Sequence, residues 1–180
     1  MEEKEVLCYC SNDGFLRKRR GKEMQNERIG EFLKKCHVFF IATDDDGQPR
    51  VRPFGAYLVI DGELYFMTGA GKAVYEQMVK NPRVEVSGYS EGEWIRITGE
   101  AEFLDDAKLR EAFLKASPKR AQMFYKMPKL ARKALLKKMP GLKNMFSEDS
   151  DYKTDLWPFR IKNATAKLYS LQNETEDLSE

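Results

Sequence analysis

Apolar residues recur along the chain with two different periods, and each change of period marks an element. Ile29, Phe32, Leu33 and Cys36 stand at i, i+3, i+4 and i+7, one stripe of an amphipathic helix. From His37 the pattern tightens: Val38-Phe39-Phe40-Ile41-Ala42 is a short β-rich run of the kind covered on both faces. Asp44-Asp45-Asp46-Gly47 supplies a turn into a long second strand over 50–60. Asp61-Gly62 then sets a hairpin into a third strand at 64–68, because both turn residues accept positive φ. Helical spacing returns over 72–80, pairing Val74 with Met78 and Tyr75 with Val79, until Asn81-Pro82 stops it. Residues 84–89 and 94–104 read as a further strand pair joined by Ser90-Glu91-Gly92-Glu93. In the second of them Ile95, Ile97, Ala101 and Phe103 alternate with polar residues, a strand with one wet face.

Asp105 is placed to cap a helix whose stripe is Leu109, Ala112, Phe113 and Ala116. Ser117-Pro118 and Pro128 mark two more helix starts. In the last helix Leu130, Ala131, Ala134 and Leu135 are expected to face inward and the cations outward. Two closing strands follow, 156–161 and 165–171, around Asn163-Ala164. About six to seven antiparallel strands with flanking helices predict a mainly β, α+β fold. Closure into a barrel would hide its sheet edges. The expected organisation is an appendage over 1–25, one domain over 26–172 carrying a helical insert at 105–146, and an acidic tail at 173–180.

Composition narrows the function classes. A length of 180 residues suits one domain with a sizeable core. A net charge of +2 gives no global argument for nucleic acid or membrane. The three cysteines, Cys8, Cys10 and Cys36, make no disulfide framework, which favours a reducing cytoplasm. No apolar run reaches the roughly 20 residues of a membrane span, and Met1-Glu2-Glu3-Lys4-Glu5 is the wrong chemistry for a secretion signal. The single histidine, His37, rules out multi-histidine metal sites and reads as structural. Between Ser117 and Lys143 nine cations occur without one acid. Such a stretch is either a membrane-surface or nucleic-acid element or a solvated face. The acidic segments 148–155 and 174–180 offer charge to neutralise it, so the solvated reading is preferred. Arg17-Lys18-Arg19-Arg20 is read likewise as a solvated tail.

Several chemistries are absent. Thr68-Gly69-Ala70-Gly71-Lys72 resembles the end of a P-loop, but Phe66 occupies the required first glycine and Ala73 the required hydroxyl position. No G-x-G-x-x-G opens a helix after a strand. Cys8-x-Cys10 has no second pair for zinc, and Asp105-Asp106 reads as capping. A set of phosphate-friendly groups remains. Arg50 and Arg52 lie two apart on one strand and share a face. Thr68 ends the neighbouring hairpin strand, and Lys72 opens the next helix, where free N–H groups favour an anion. The competing reading is a surface salt-bridge set with nearby acids.

Five segments in order carry a resemblance. They are Gly47–Phe54, Asp61–Thr68 followed by Lys72, Asn81-Pro82-Arg83-Val84, and Trp94–Ala101, with Leu142–Ser147 and Lys162–Ala166 beyond. Together the chain resembles the pyridoxamine 5'-phosphate oxidase-like family of FMN-binding split β-barrels over roughly 27–171. The resemblance implies a homodimer with FMN at the subunit interface and a small-molecule substrate. It implies that Arg50, Arg52, Thr68 and Lys72 hold the phosphate and ribityl chain, and that Val51, Arg52, Pro53 and Phe54 run beside the isoalloxazine. It places Met67 next to the flavin and Trp94 in a packing or stacking role from the partner subunit. The pyridoxal-phosphate grip of the true oxidases has no clear counterpart, Trp157 and Arg160 being only loosely placed, and the helical insert is long. The expected function is an FMN-dependent oxidoreductase acting on something other than pyridoxamine phosphate. The alternatives are a flavin- or haem-handling binding protein and a nitro-compound reductase; a deazaflavin fits the same phosphate-plus-tricycle description as FMN.

Overall fold

The computed structural model describes residues 16–144 and 146–179; Cys8, Cys10 and the opening acidic stretch lie outside them. The strand expected over 50–60 is two strands, β2 (Gln48–Phe54) and β3 (Tyr57–Ile60), separated at Gly55-Ala56. β2 pairs with β1 (Phe39–Asp45), and β3 pairs with β4 (Glu63–Gly69), both antiparallel. The sheet continues through β5 (Arg83–Ser90), β6 (Glu93–Phe103) and β7 (Leu156–Ser170) in the order β2-β1-β5-β6-β7-β4-β3. Its two ends are therefore joined by two residues, which forces the sheet to curl on itself. The fold is an antiparallel barrel with flanking helices, as the strand pattern predicts.

The barrel is split because β4 and β7 pair only over 66–69 and 156–159. Past that point β7 follows β6 alone and picks up β8 (Glu176–Asp177). The two expected closing strands are one, since β7 runs through Asn163 with the left-handed φ of 51°. The register shifts opposite it between Thr98 and Glu100. Gly99 makes that shift possible: a Cβ there would lie 2.5 Å from both Ile161 Cγ2 and the Lys162 carbonyl oxygen.

Helix α1 (Leu16–Cys36) begins well before the apolar stripe, within the expected appendage. Its early turns are rich in Arg, Lys, Gln and Glu, residues of high helix propensity. Asn26 donates to the Gly62 carbonyl at 2.7 Å, Gln25 to that of Ser179 at 2.9 Å, and Arg28 pairs with Glu176 at 2.6 Å. The C-terminal segment is thus bound to α1 and the barrel, and Leu178 is buried in the core. The predicted stripe faces inward, with Ile29, Phe32 and Leu33 buried. Gly30 sits against β3, where a Cβ would meet Val59 Cγ2 at 2.7 Å and where Tyr57 donates to its carbonyl at 2.9 Å. His37 is exposed with φ 58° and ends α1, a structural role.

Phe39, Phe66 and Phe159 form the centre of the core, with Phe39–Phe66 and Phe66–Phe159 ring centroids 5.6 and 5.5 Å apart. Between β6 and β7 lie α3 (Ala107–Ala116), α4 (Lys119–Lys126), α5 (Lys129–Lys138), a 3-10 segment at Pro140–Asn144 and α6 (Tyr152–Asp155). Asp106, not Asp105, caps α3, accepting from the Lys108 and Leu109 amides. Asp105 is displaced outward to pair with the buried Arg110 at 2.7 Å. The orientation expected for α5 is reversed at its start. Leu136 is buried, whereas Leu130, Ala131 and Ala134 are exposed. Arg132 turns inward instead, donating to the Ser150 carbonyl and approaching the Phe124 ring at 6.0 Å.

Candidate functional site

Strand register carries Arg50, Arg52 and Phe54 opposite Thr43, Ile41 and Phe39. Those three β1 residues are buried, so the two arginines and Phe54 share the inner face. There the barrel interior turns polar. Arg52 is half-buried; its Nη1 donates to the Ile41 carbonyl at 3.2 Å and to Thr43 Oγ1 at 2.7 Å. Its Nη2 donates to Gln77 Oε1 at 2.6 Å, and Thr43 donates to the same oxygen at 2.7 Å. Burial first, and Arg50 second, lower the Arg52 pKa from its ordinary value, while Asp45 acts the other way. Every oxygen that Arg52 meets among the described residues belongs to a neutral group. Its charge is therefore directed but not neutralised, the condition for recruiting an anion. Arg50 behaves differently, donating to Asp45 at 3.0 Å in an exposed ion pair.

Helix α2 (Ala73–Lys80) bridges this polar end and the end of β4. Val74, Gln77 and Met78 face inward, and Gln77 is the residue that meets Arg52. Its N-terminus begins at Lys72 with no side-chain cap, leaving first-turn N–H groups for another acceptor. Lys72 itself is exposed, and its stem folds back over the strand end: a Cβ on Gly69 would lie 3.3 Å from Lys72 Cε. Next to Gly69 stands Thr68, only 2% exposed, whose Oγ1 has no hydrogen-bond partner. A buried hydroxyl without a partner is costly, so native chains seldom leave one unless something else satisfies it. About five residues of helix, or about 7.5 Å, separate the Lys72 end from the Gln77–Arg52 contact. The turn between β4 and α2 is pinned from outside, because the Ala70 amide donates to the Asp155 carbonyl at 2.8 Å.

The remaining candidates divide between faces. Phe54 is half-buried in the aromatic core, 6.3 Å from Phe39 and 6.5 Å from Phe159. Met67 is half-buried on the opposite face of β4 from Thr68, and its amide donates to the Ala56 carbonyl at 3.3 Å. Val51 and Pro53 are exposed on the outer face of β2. Trp94 lies three strands along the sheet on β6, stacked on Tyr169 with centroids 5.2 Å apart and planes 6° from parallel. Within one chain α2 thus runs from Lys72, past the end of β4 where Thr68 stands, to Gln77 and its contact with Arg52, and Trp94 lies elsewhere. Gln77 was not among the expected site residues. The signal for it is a polar side chain in the middle of the Val74–Met78 stripe.

A cavity of about 360 Å³ opens at a different place, in the split between α1, β4 and the β7 irregularity. None of the nine candidate residues lines it. Among the described residues no group of three or more His, Cys, Asp or Glu could hold a metal, and no helix is long and apolar enough to cross a membrane.

Comparison with known proteins follows the same lines. A family model described as pyridoxamine 5'-phosphate oxidase matches residues 25–142. A solved structure of a nimc/nima family protein from Clostridium acetobutylicum is 30% identical, covering 93% of this chain and 100% of that one, with a TM-score of 0.66. General stress protein 26 from Bacillus anthracis str. Sterne has the same fold at 15% identity, with 84% and 97% coverage and a TM-score of 0.53. A protein named PhzG from Burkholderia lata 383, solved in complex with tetrahydrophenazine-1-carboxylic acid, shares the fold at 12% identity, with 87% and 88% coverage and a TM-score of 0.52. None of the curated proteins matches.

Proposed function

Because this chain belongs to the pyridoxamine 5'-phosphate oxidase family, we propose that it binds FMN and works as a flavin-dependent oxidoreductase on a small molecule. Family membership supports a flavin. The observation that carries the reading is the unpartnered Thr68 hydroxyl, buried near the end of β4, four residues before Lys72 and the uncapped start of α2. A phosphate there would accept from Thr68, from first-turn amides and from Lys72, with the Arg52 charge behind them. These donors fit a phosphate monoester, and the one acid in the first turn of α2, Glu76, is exposed.

The bound flavin would supply the electron or hydride transfer; the residues of the chain bind and orient it. Arg52 is held in place by Thr43 and Gln77, so its guanidinium need not be reorganised when the anion arrives. Phe54 on the inner face and Met67 on the outer face of β4 would each offer apolar surface to the ring from its own side.

A homodimer completes the proposal. None of the nine candidate residues lines the 360 Å³ cavity of the single chain. The outer face of the sheet carries exposed Val51, Phe40 and Tyr89 on β2, β1 and β5, and beside them the half-buried, stacked pair Trp94 and Tyr169. A second copy packed on that face would bury them and bring its Trp94 towards the Val51–Phe54 edge. The test is the visible spectrum of the purified protein, with mass identification of what denaturation releases and light scattering for the oligomer. A flavin spectrum with the FMN mass on a dimer supports the proposal. A colourless protein that takes up no added FMN refutes it, and slow reduction of a tightly held flavin by NADH and NADPH would leave a carrier in place of an enzyme.

A further inference from the structure

The insert between β6 and β7 presents a surface that the flavin site does not use. On α4, Lys119, Met123 and Lys126 fall at i, i+4 and i+7 on the side opposite the buried Phe124, and Met123 is 58% exposed. On α5 the apolar stripe that should have faced the core faces out: Leu130 is 80% exposed, and Ala134 and Lys137 follow it at i+4 and i+7. The inward place is taken by Leu136 and Arg132. Acidic residues neutralise only part of this region. Lys129 pairs with Asp149 and Lys133 with Glu148, while Glu176 of the C-terminal segment is spent on Arg28. Lys119, Lys126 and Lys137 have no ion pair among the described residues.

We propose that the outer faces of α4 and α5 form a docking surface for an anionic phospholipid bilayer. Large apolar side chains set singly among lysines are the pattern of a helix lying in the headgroup layer, with the lysine stems covering apolar surface and the ammonium groups meeting phosphate. A second copy of the same face is excluded as occupant by like charge. Nucleic acid would satisfy the lysines but leave Leu130 and Met123 against a polar backbone. A bilayer accommodates both chemistries and requires no groove, and these helices show none.

The test is co-sedimentation of the full-length protein with vesicles of phosphatidylglycerol and phosphatidylcholine (3:7), against phosphatidylcholine alone. Binding to the anionic vesicles only is expected, weakening at least tenfold in 0.5 M salt and at least tenfold in the Leu130→Gln, Lys137→Gln double variant. A Lys34→Gln, Lys35→Gln control removes two charges from α1, one more than the double variant loses, and is expected to bind within twofold of wild type. All positions are exposed, and an unchanged melting temperature and flavin spectrum separate this test from any failure of the flavin reading. Absence of binding to anionic vesicles overturns the proposal, as does equal binding to neutral ones, an equal loss in the α1 control or no loss in the double variant. Tighter binding to a 20-nucleotide single strand, lost in the same double variant, would assign the face to nucleic acid and overturn it too.

Discussion

Replacing Thr68 by Val should move two properties of the protein in opposite directions. The side chain keeps its shape and loses only Oγ1, which is buried and unpartnered. In the protein without cofactor that oxygen has been stripped of water for nothing, a cost of about 1–3 kcal/mol. Removing it should therefore stabilise the flavin-free protein, and at the lower end of that range raise its melting temperature by about 2–4 °C for a chain of this size. The phosphate of FMN, by contrast, loses one charge-assisted hydrogen bond of about 1.5–3 kcal/mol, so its dissociation constant should rise by roughly ten- to a hundredfold. Riboflavin, which has no phosphate, should bind wild type and variant alike. The assay is flavin fluorescence quenching for both ligands, with thermal melts of the stripped protein. A variant less stable without flavin would mean that the hydroxyl serves the chain itself. Equal affinity for FMN in the two proteins would remove the phosphate from Thr68.

Other expectations follow from the same geometry. Lys72→Ala and Arg52→Ala should each weaken FMN by about 1–3 kcal/mol, measured by the same titration. Arg50→Ala should change FMN affinity by less than about 0.5 kcal/mol, because its exposed partner is Asp45 and such pairs contribute little. Gly30→Ala should cost about 1–3 kcal/mol in urea unfolding, since its Cβ would meet Val59. Burial, reinforced by Asp155 and Asp151, pushes the Tyr125 hydroxyl up to about 12. The folded state thus holds that proton more tightly than the unfolded chain, so stability is intact below pH 10 and declines as pH rises towards 12. Tyr125→Phe should flatten that decline in unfolding curves at pH 9 and 11.5.

How much of this could be read from the sequence depends on whether local or distant residues decide it. The α1 stripe, the Asp61-Gly62 hairpin and the stop at Asn81-Pro82 are local, and each stands where the pattern puts it. The break at Gly55-Ala56 could not be seen the same way. Both sides of it are β-rich, and what separates them is that β2 and β3 belong to opposite ends of the sheet. The fused closing strand has the same cause, because Asn163 adopts positive φ only where Gly99 lets β6 shift register. In α5 the apolar stripe was legible but its direction was not. Arg132 can reach the Ser150 carbonyl and the Phe124 ring, and this turned the helix over.

For the proposed site, composition supplied the donors and topology their placement. Thr68 and Lys72 are close in sequence, but Arg52 is linked to that end only through α2, which begins at Lys72 and carries Gln77 to the guanidinium. That link needs Gln77, whose single amide oxygen receives both Thr43 and Arg52. A carboxylate at 77 would have neutralised Arg52 and closed the site to an anion, while an apolar residue would have left the guanidinium unsupported. Outside, Arg110 sets the other wall: it is 7% exposed, donates to the Leu156 carbonyl at 2.9 Å and lies 4.9 Å over the Trp157 ring. Asp155, whose carbonyl receives the Ala70 amide, immediately precedes that held segment. The turn between β4 and α2 is therefore fixed from the insert, and the Arg52 group from α2. The proposed phosphate donor set, drawn from three separate elements, would be rigid before any ligand arrives only when each donor has such a support, and here the supports are Gln77 and Arg110.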